Sequence, residues 1–227
     1  CTRCHEALVF GRAPRHDPIH VQRHNFGPVF ARQHGENFTE FPKALFALAD
    51  TLEILDLSHN QLCELLPEFA CFQKLRILFA SNNPFQTLPE VLGQCQQLEM
   101  IGFKSNQIQS VSASALPPKL RWLILTDNQI ETLPDCFASL PKMQKLMLAG
   151  NQLTALPPSL KYCEKLELLR ISANALEQFP QVITQLPKLA WCAFSGNKFN
   201  QKRHQNQELL MTEFSAFKLN QLLGEGA

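Results

Sequence analysis

The chain is poor in glycine, carries almost no net charge and lacks any long apolar run. Glycine accounts for only 9 of its 227 residues, and 21 basic side chains are balanced by 20 acidic ones, which leaves a formal net charge of +1. These values argue against a collagen-like chain and against a highly charged nucleic-acid-binding protein. The 45% share of apolar residues argues against disorder.

No apolar run approaches the roughly 20 residues that a membrane-spanning helix needs. The first residues, CTRCHEALVFGRAPR, contain no sustained hydrophobic stretch of the kind found in a secretory signal. We therefore expect a cytoplasmic protein with no membrane span and no nucleic-acid partner. Because the first residue is Cys1 rather than methionine, we also expect the chain to be a fragment or a processed product.

A leucine-rich motif recurs about every 23 residues. Residues 52–62, LEILDLSHNQL, fit the pattern L-x-x-L-x-L-x-x-N-x-L. The same frame surrounds seven asparagines spaced 22 or 23 residues apart, which are Asn60, Asn83, Asn106, Asn128, Asn151, Asn174 and Asn197. This pattern resembles the leucine-rich repeats of intracellular type. The resemblance implies an α/β solenoid over residues 36–200, with a curved parallel sheet on the concave face and short helical or extended segments on the convex face.

Each residue type in the motif has a physical reason. The L-x-L segment alternates as a strand does, so Leu55 and Leu57 point into the core while Ile54 and Asp56 point outward. The corner asparagine can pair with buried backbone groups of its own and neighbouring turns. Most units also contain a Leu-Pro or Phe-Pro pair, as at Pro89. Proline fits the convex side, where the chain returns from one strand to the next and a fixed φ is tolerated.

The register predicts two columns of outward-facing residues on the concave face. The third position of successive units holds Ile54, Ile77, Met100, Trp122, Lys145, Leu168 and Trp191, and the fifth holds Asp56, Phe79, Gly102, Ile124, Met147, Arg170 and Ala193. At about 4.8 Å between strands, the third-position column is a mostly apolar stripe roughly 29 Å long. Such a stripe is typical of a surface that contacts a protein or peptide. The alternative is that these side chains only pack along their own columns.

The cysteines of the repeats are scattered, which suits a reducing compartment. Cys95 and Cys163 stand where other units have leucine, so we expect them to be small buried hydrophobes. Asn37-Phe-Thr39 is a glycosylation sequon, which matters only on a secretory route.

Residues 1–35 differ in kind from the rest, with five arginines and no lysine. They are an atypical leader or a divergent N-terminal cap. The residues from Glu36 to Pro42 look like the tail of an earlier unit whose strand, near residues 28–33, lacks the leucines, so eight repeats are an alternative to seven. Cys1, Cys4 and His5 match the C-x-x-C-H string of haem attachment, and Cys1, Cys4, His16 and His20 approach a zinc-finger spacing. Prolines at positions 14 and 18 interrupt the helix that such a finger needs, so we predict neither metal nor cofactor in this chain.

The repeats contain no coherent catalytic constellation, and the Cys-x-Asp string of bacterial leucine-rich repeat ubiquitin ligases is absent. A polar connector or capping helix is expected at residues 201–214. Residues 217–227, FKLNQLLGEGA, contain a strand-like segment followed by the pattern G-x-G. That ending resembles the glycine-rich loop of protein kinases.

Together with PPKLRWLILTDNQI and EKLELLRISAN, this ending resembles bacterial and plant-type proteins in which a leucine-rich solenoid directly precedes a Ser/Thr or Tyr kinase domain. The resemblance implies that residues 215–227 begin such a domain and that Gly224 and Gly226 belong to its ATP-binding loop. The parent would use ATP and Mg, with the solenoid binding substrates or the kinase domain in cis. The alternative is a free-standing intracellular scaffold with no kinase.

Overall fold

The computed structural model describes residues 20–22 and 28–201, with side chains described over residues 28–200. Nine strands form one sheet, and their spatial order is the same as their order along the chain. Strands β2 to β9 pair in parallel, while β1 pairs antiparallel to β2. The strands are β1 His20–Gln22, β2 Val29–Arg32, β3 Leu52–Asp56, β4 Ile77–Phe79, β5 Met100–Gly102, β6 Trp122–Ile124, β7 Lys145–Met147, β8 Leu168–Arg170 and β9 Trp191–Ala193.

Short helical segments return the chain from the end of one parallel strand to the start of the next. Seven of these are 3₁₀ helices, Lys43–Leu48, Pro67–Cys71, Glu90–Gln94, Ala113–Ala115, Phe137–Ser139, Pro158–Tyr162 and Gln181–Gln185, and α1 (Lys198–Gln201) follows β9. Pro89 and Pro157 sit at the N-caps of two of them with φ of −59° and −65°, values that the pyrrolidine ring favours. The predicted curved solenoid, with its sheet on one face and short helices on the other, is confirmed.

The core lies between the sheet and the 3₁₀ helices. Leu55 and Leu57 are fully buried, and the equivalent inward positions of later strands are buried as well. At the N-terminal end, Phe41, Phe69 and Phe72 pack together with ring centroids 5.0 to 6.2 Å apart. No single unit could enclose its own leucines, so each unit is stabilised by its neighbours.

The corner asparagines connect each unit to the one before it. Nδ2 of Asn128 donates to the carbonyl of Phe103 in the preceding unit at 2.9 Å and to Leu125 of its own unit at 3.0 Å. Its Oδ1 accepts the N–H of Ile108 at 3.0 Å. The two contacts to the preceding unit recur at Asn60, Asn83, Asn106, Asn151, Asn174 and Asn197. The predicted role of these side chains is confirmed.

One parallel strand precedes the seven units that carry the asparagine. Strand β2 pairs with β3, and the N–H of Phe38 donates to Oδ1 of Asn60. In later units the backbone N–H groups of leucine and other apolar residues donate to the corner asparagines in the same way. The sixth position of this first unit holds Gln33, which is fully buried, instead of leucine. Strand β2 lies where the strand of an earlier unit was predicted, near residues 28–33, and both β1 and β2 fall within the segment interpreted as an atypical leader or divergent cap.

Replacing Asn128 with alanine tests the connection between units. The change leaves the carbonyl of Phe103 and the N–H of Ile108 buried without their partner, so we expect the free energy of unfolding to fall by about 1–3 kcal/mol. Urea denaturation measures this loss. The neighbouring Gln129 is exposed, and Gln129→Ala should cost less than about 0.5 kcal/mol. Equal losses for the two variants would contradict the role given to Asn128.

Candidate functional site

The outward-facing residues of β3 to β9 form two continuous columns. Strand pairing aligns the third-position residues as Ile54, Ile77, Met100, Trp122, Lys145, Leu168 and Trp191, and the fifth-position residues as Asp56, Phe79, Gly102, Ile124, Met147, Arg170 and Ala193. None of these pairings shifts register. The structure thus brings all of the predicted partner-binding residues onto one face.

Strand β2 extends each column by one residue that the predicted partner-binding set did not include. Phe30 pairs with Ile54 and Arg32 pairs with Asp56. The signal was weak, because Phe30 precedes Ile54 by 24 residues and its unit has Ala31 and Gln33 where leucines are usual.

The column residues are accessible, although some also pack on one another. Trp191 is 38% exposed, and Trp122, Ile124 and Met147 are half-buried. Gly102 is buried beneath the ring of Phe79, since a Cβ there would stand 2.7 Å from Cδ1 of that ring. Packing within the columns therefore accounts for part of the face, while Trp191 is exposed to solvent and Trp122 is half-buried.

A chain of ion pairs runs along the strand entrances at the second position of the units. Glu53, Arg76, Glu99 and Arg121 alternate in charge, with N to O distances of 3.4 Å, 3.5 Å and 3.4 Å between neighbours. Against the opposing effect of partial burial, Arg76 and Arg121 hold the pKa of Glu99 below its ordinary value. The alternation is visible once the repeats are aligned, so the sequence held a signal that our interpretation missed.

The turn after each strand contains one residue in the left-handed backbone conformation. The eighth position has a positive φ in every unit from β3 to β9, with glycine at Gly150 (69°) and Gly196 (75°). At Gly150 a Cβ would stand 2.5 Å from Oδ1 of Asp127, so a larger side chain would have to displace that carboxylate. The turns after β7 to β9 carry small residues beside the columns, namely Ala149, Gly150, Ala173 and Gly196.

Within the residues that the structure describes, no group of three or more His, Cys, Asp or Glu side chains could hold a metal ion. Cys1, Cys4 and His16 of the haem and zinc patterns lie outside those residues. So do Gly224 and Gly226.

The buried cysteines are poor nucleophiles. Cys95 and Cys163 are fully buried, as predicted, and their Sγ atoms lie 3.6 Å from the carbonyls of Phe69 and Phe137. Burial raises the pKa of Cys95, Cys163 and Cys192 to about 12, so these thiols stay protonated at neutral pH.

In the same part of the chain, no helix has the length and apolar character to cross a membrane.

Comparison with known proteins identifies the repeats. Leucine rich repeat family models match residues 51–72 and 96–153. Two solved structures share the fold. A leucine-rich repeat protein of Leptospira interrogans is 22% identical with a TM-score of 0.51 and aligns over 73% of this chain and 60% of its own. An internalin of Listeria monocytogenes is 22% identical with a TM-score of 0.57, over 70% and 52%. The chain therefore carries leucine-rich repeats, arranged as a curved leucine-rich repeat solenoid.

Curated relatives match over part of the repeats. Leucine-rich repeat and calponin homology domain-containing protein 1 of Mus musculus is 31% identical over 104 residues, which are 44% of this chain and 14% of that protein. A probable serine/threonine-protein kinase of Dictyostelium discoideum is 40% identical over 96 residues, 40% of this chain and 3% of that protein. Leucine-rich repeat-containing protein 58 of Homo sapiens is 37% identical over 81 residues, 33% and 22%. The chain spans less than a quarter of each.

Thiol reactivity tests the burial of the cysteines. At pH 8 a thiol reagent should modify the exposed Cys63 in the folded chain and reach Cys95, Cys163 and Cys192 only after denaturation, as read by peptide mass spectrometry. Because the folded chain raises the pKa of the buried thiols above 9.0, the unfolded chain loses those protons first. The free energy of unfolding should then decrease as the pH rises above about 9. Equal labelling rates at Cys63 and Cys95 in the folded chain would contradict this burial.

Proposed function

We propose that the solenoid binds a polypeptide partner through its concave face and forms the recognition or regulatory part of a larger protein kinase. The observation that carries the first part is the aligned, mostly apolar surface of β6 to β9, where Trp191 is 38% exposed at the end of the column that contains Leu168. Stacked repeats use their concave surfaces for binding. Tryptophan and arginine are the side chains that most often dominate such interfaces.

Two observations support the proposal that the solenoid is part of a larger protein kinase. Residues 217–227 end in the G-x-G of Gly224 and Gly226, and one relative, 40% identical over the matched repeats, is named a probable serine/threonine-protein kinase. In this proposal residues 36–200 are the solenoid, 201–214 connect or cap it, and 215–227 begin the kinase domain. The parent binds ATP and Mg in the cytoplasm, and the solenoid contacts its substrate or the kinase domain in cis.

The coding sequence after Ala227 distinguishes the kinase from a free-standing scaffold. A third glycine followed by valine supports the kinase. A stop codon there removes the kinase and leaves the binding role.

A pull-down from the lysate of the source organism tests the binding role. The full chain and its Trp122→Ala/Trp191→Ala variant are immobilised, and captured proteins are quantified by mass spectrometry. We expect at least one protein to be captured about fivefold less by the double variant, because interface tryptophans contribute much of the binding free energy.

Tyr162 provides the matched control. It is 55% exposed on the 3₁₀ helix Pro158–Tyr162, on the convex side, so Tyr162→Ala should capture the same proteins as the unaltered chain. Thermal melting confirms that both variants are folded. Capture that is unaffected by the tryptophan changes, or reduced equally by Tyr162→Ala, contradicts binding through the concave face.

A further inference from the structure

The two halves of the concave face differ in how their charges are balanced. On the N-terminal half, Oδ2 of Asp56 lies 3.7 Å from Nε of Arg32 and 3.6 Å from Nδ1 of His34. Nζ of Lys104 lies 3.9 Å from Oδ2 of Asp127. Asp56 and Lys104 therefore have partners of opposite charge within the solenoid, and a ligand there would have to displace them.

The C-terminal half has two cations on its columns with no acidic partner. Among the described residues, no carboxylate oxygen lies within 4.0 Å of the charged nitrogens of Lys145 or Arg170. Glu167, at the entrance to β8, is exposed and forms no ion pair with either of them. Within the part of the chain that the structure describes, neither cation is therefore neutralised by a carboxylate of the solenoid.

The two cations are close enough to act on one ligand. Lys145 is the third-position residue of β7, and Arg170 on β8 pairs with Met147, two residues further along β7. This diagonal places their Cα atoms about 8 Å apart, within reach of long side chains that converge on one group. Nζ of Lys145 lies 3.8 Å from the ring centroid of Trp122, which holds the ammonium group over the face.

The surroundings of the cations suit a chain with apolar side chains. Ile124 and Met147 are half-buried neighbours on the fifth column, and Trp191 is exposed on the last strand. Beside them, the turns after β7 to β9 carry small residues, which would not obstruct the backbone of a bound segment. An apolar ligand that covered this surface would also bury the two cations, at a cost that carboxylates on the ligand would offset.

We propose that strands β6 to β9 bind an acidic polypeptide segment, whose carboxylates pair with Lys145 and Arg170 while its apolar side chains pack on the two tryptophans. Carboxylates match both cations, and the guanidinium of Arg170 can bind one through two parallel hydrogen bonds. This inference rests on the proposed function and adds the chemistry of the partner.

Selection from a library of random 12-residue peptides displayed on phage tests the inference. The library is selected on the immobilised full chain, and the enriched peptides are synthesised for affinity measurement by fluorescence anisotropy. We expect enrichment of Asp and Glu next to aromatic or aliphatic residues. The affinity of these peptides should fall at least about tenfold on Lys145→Glu/Arg170→Glu, since reversed charges repel the carboxylates.

Lys161→Glu/Lys165→Glu is the matched control, because it changes the net charge equally through two exposed lysines that lie off the concave columns. It should alter the affinity less than about twofold. If thermal melting shows the reversal variant to be unfolded, Lys145→Gln/Arg170→Gln takes its place.

Enriched peptides without acidic residues, equal affinity for the reversal variant, or no enrichment at all overturns the inference. Non-acidic peptides whose binding is lost on Trp122→Ala/Trp191→Ala overturn only the acidic chemistry and leave the proposed binding face standing. Loss of affinity on the lysine control to the same extent as on the reversal variant means a general effect of charge, and it also overturns the inference.

Discussion

The side-chain amide of the corner asparagine is the interaction on which the rest of this solenoid depends. Each of the seven bridges backbone groups of two successive units, and all seven are buried. A buried donor or acceptor that lost its partner would cost about 1–3 kcal/mol, so the bridge tolerates little change in the spacing of units. The spacing in turn fixes strand register, and register places like positions side by side along the concave face.

This constraint explains how strands of only three residues build a binding surface. Lys145–Met147 and its neighbours each contribute one inward and two outward side chains, so every unit adds one residue to each column. The inward residue is held by the common core. The outward residues are free to vary without disturbing the stack, which lets one face hold the ion-paired Asp56 at one end and the unpaired Arg170 at the other.

Much of this arrangement could be predicted from the sequence, because the repeat encodes it locally. Leu55, Asp56 and Asn60 fix which residue is buried, which is exposed and where the chain turns, and the same spacing carries the prediction through seven units. The strand of the first unit was predicted only as lying near residues 28–33, without its register, because Ala31 and Gln33 replace the diagnostic leucines. Gln33 is buried because of its position in the repeat, although glutamine is a polar residue.

The remaining features depend on side-chain positions that no spacing encodes. The ammonium of Lys145 over Trp122 requires a particular rotamer, although the two residues were correctly assigned to one column. On the convex side, a Cβ at Gly93 would stand 1.8 Å from the carbonyl oxygen of Ser114. That contact arises where the repeat shortens from 23 residues to 22, and it depends on how two 3₁₀ helices pack.

Hydrogen exchange tests the central claim most directly, at the backbone N–H groups that the asparagine Oδ1 atoms accept. These belong to Phe38, Leu62, Phe85, Ile108, Ile130, Leu153 and Leu176, none of which lies in a strand or helix. The account predicts that all seven exchange slowly and to a similar extent, at rates set by cooperative opening of the stack. Exchange at the rate of an unfolded chain would show that the asparagines do not hold the units together.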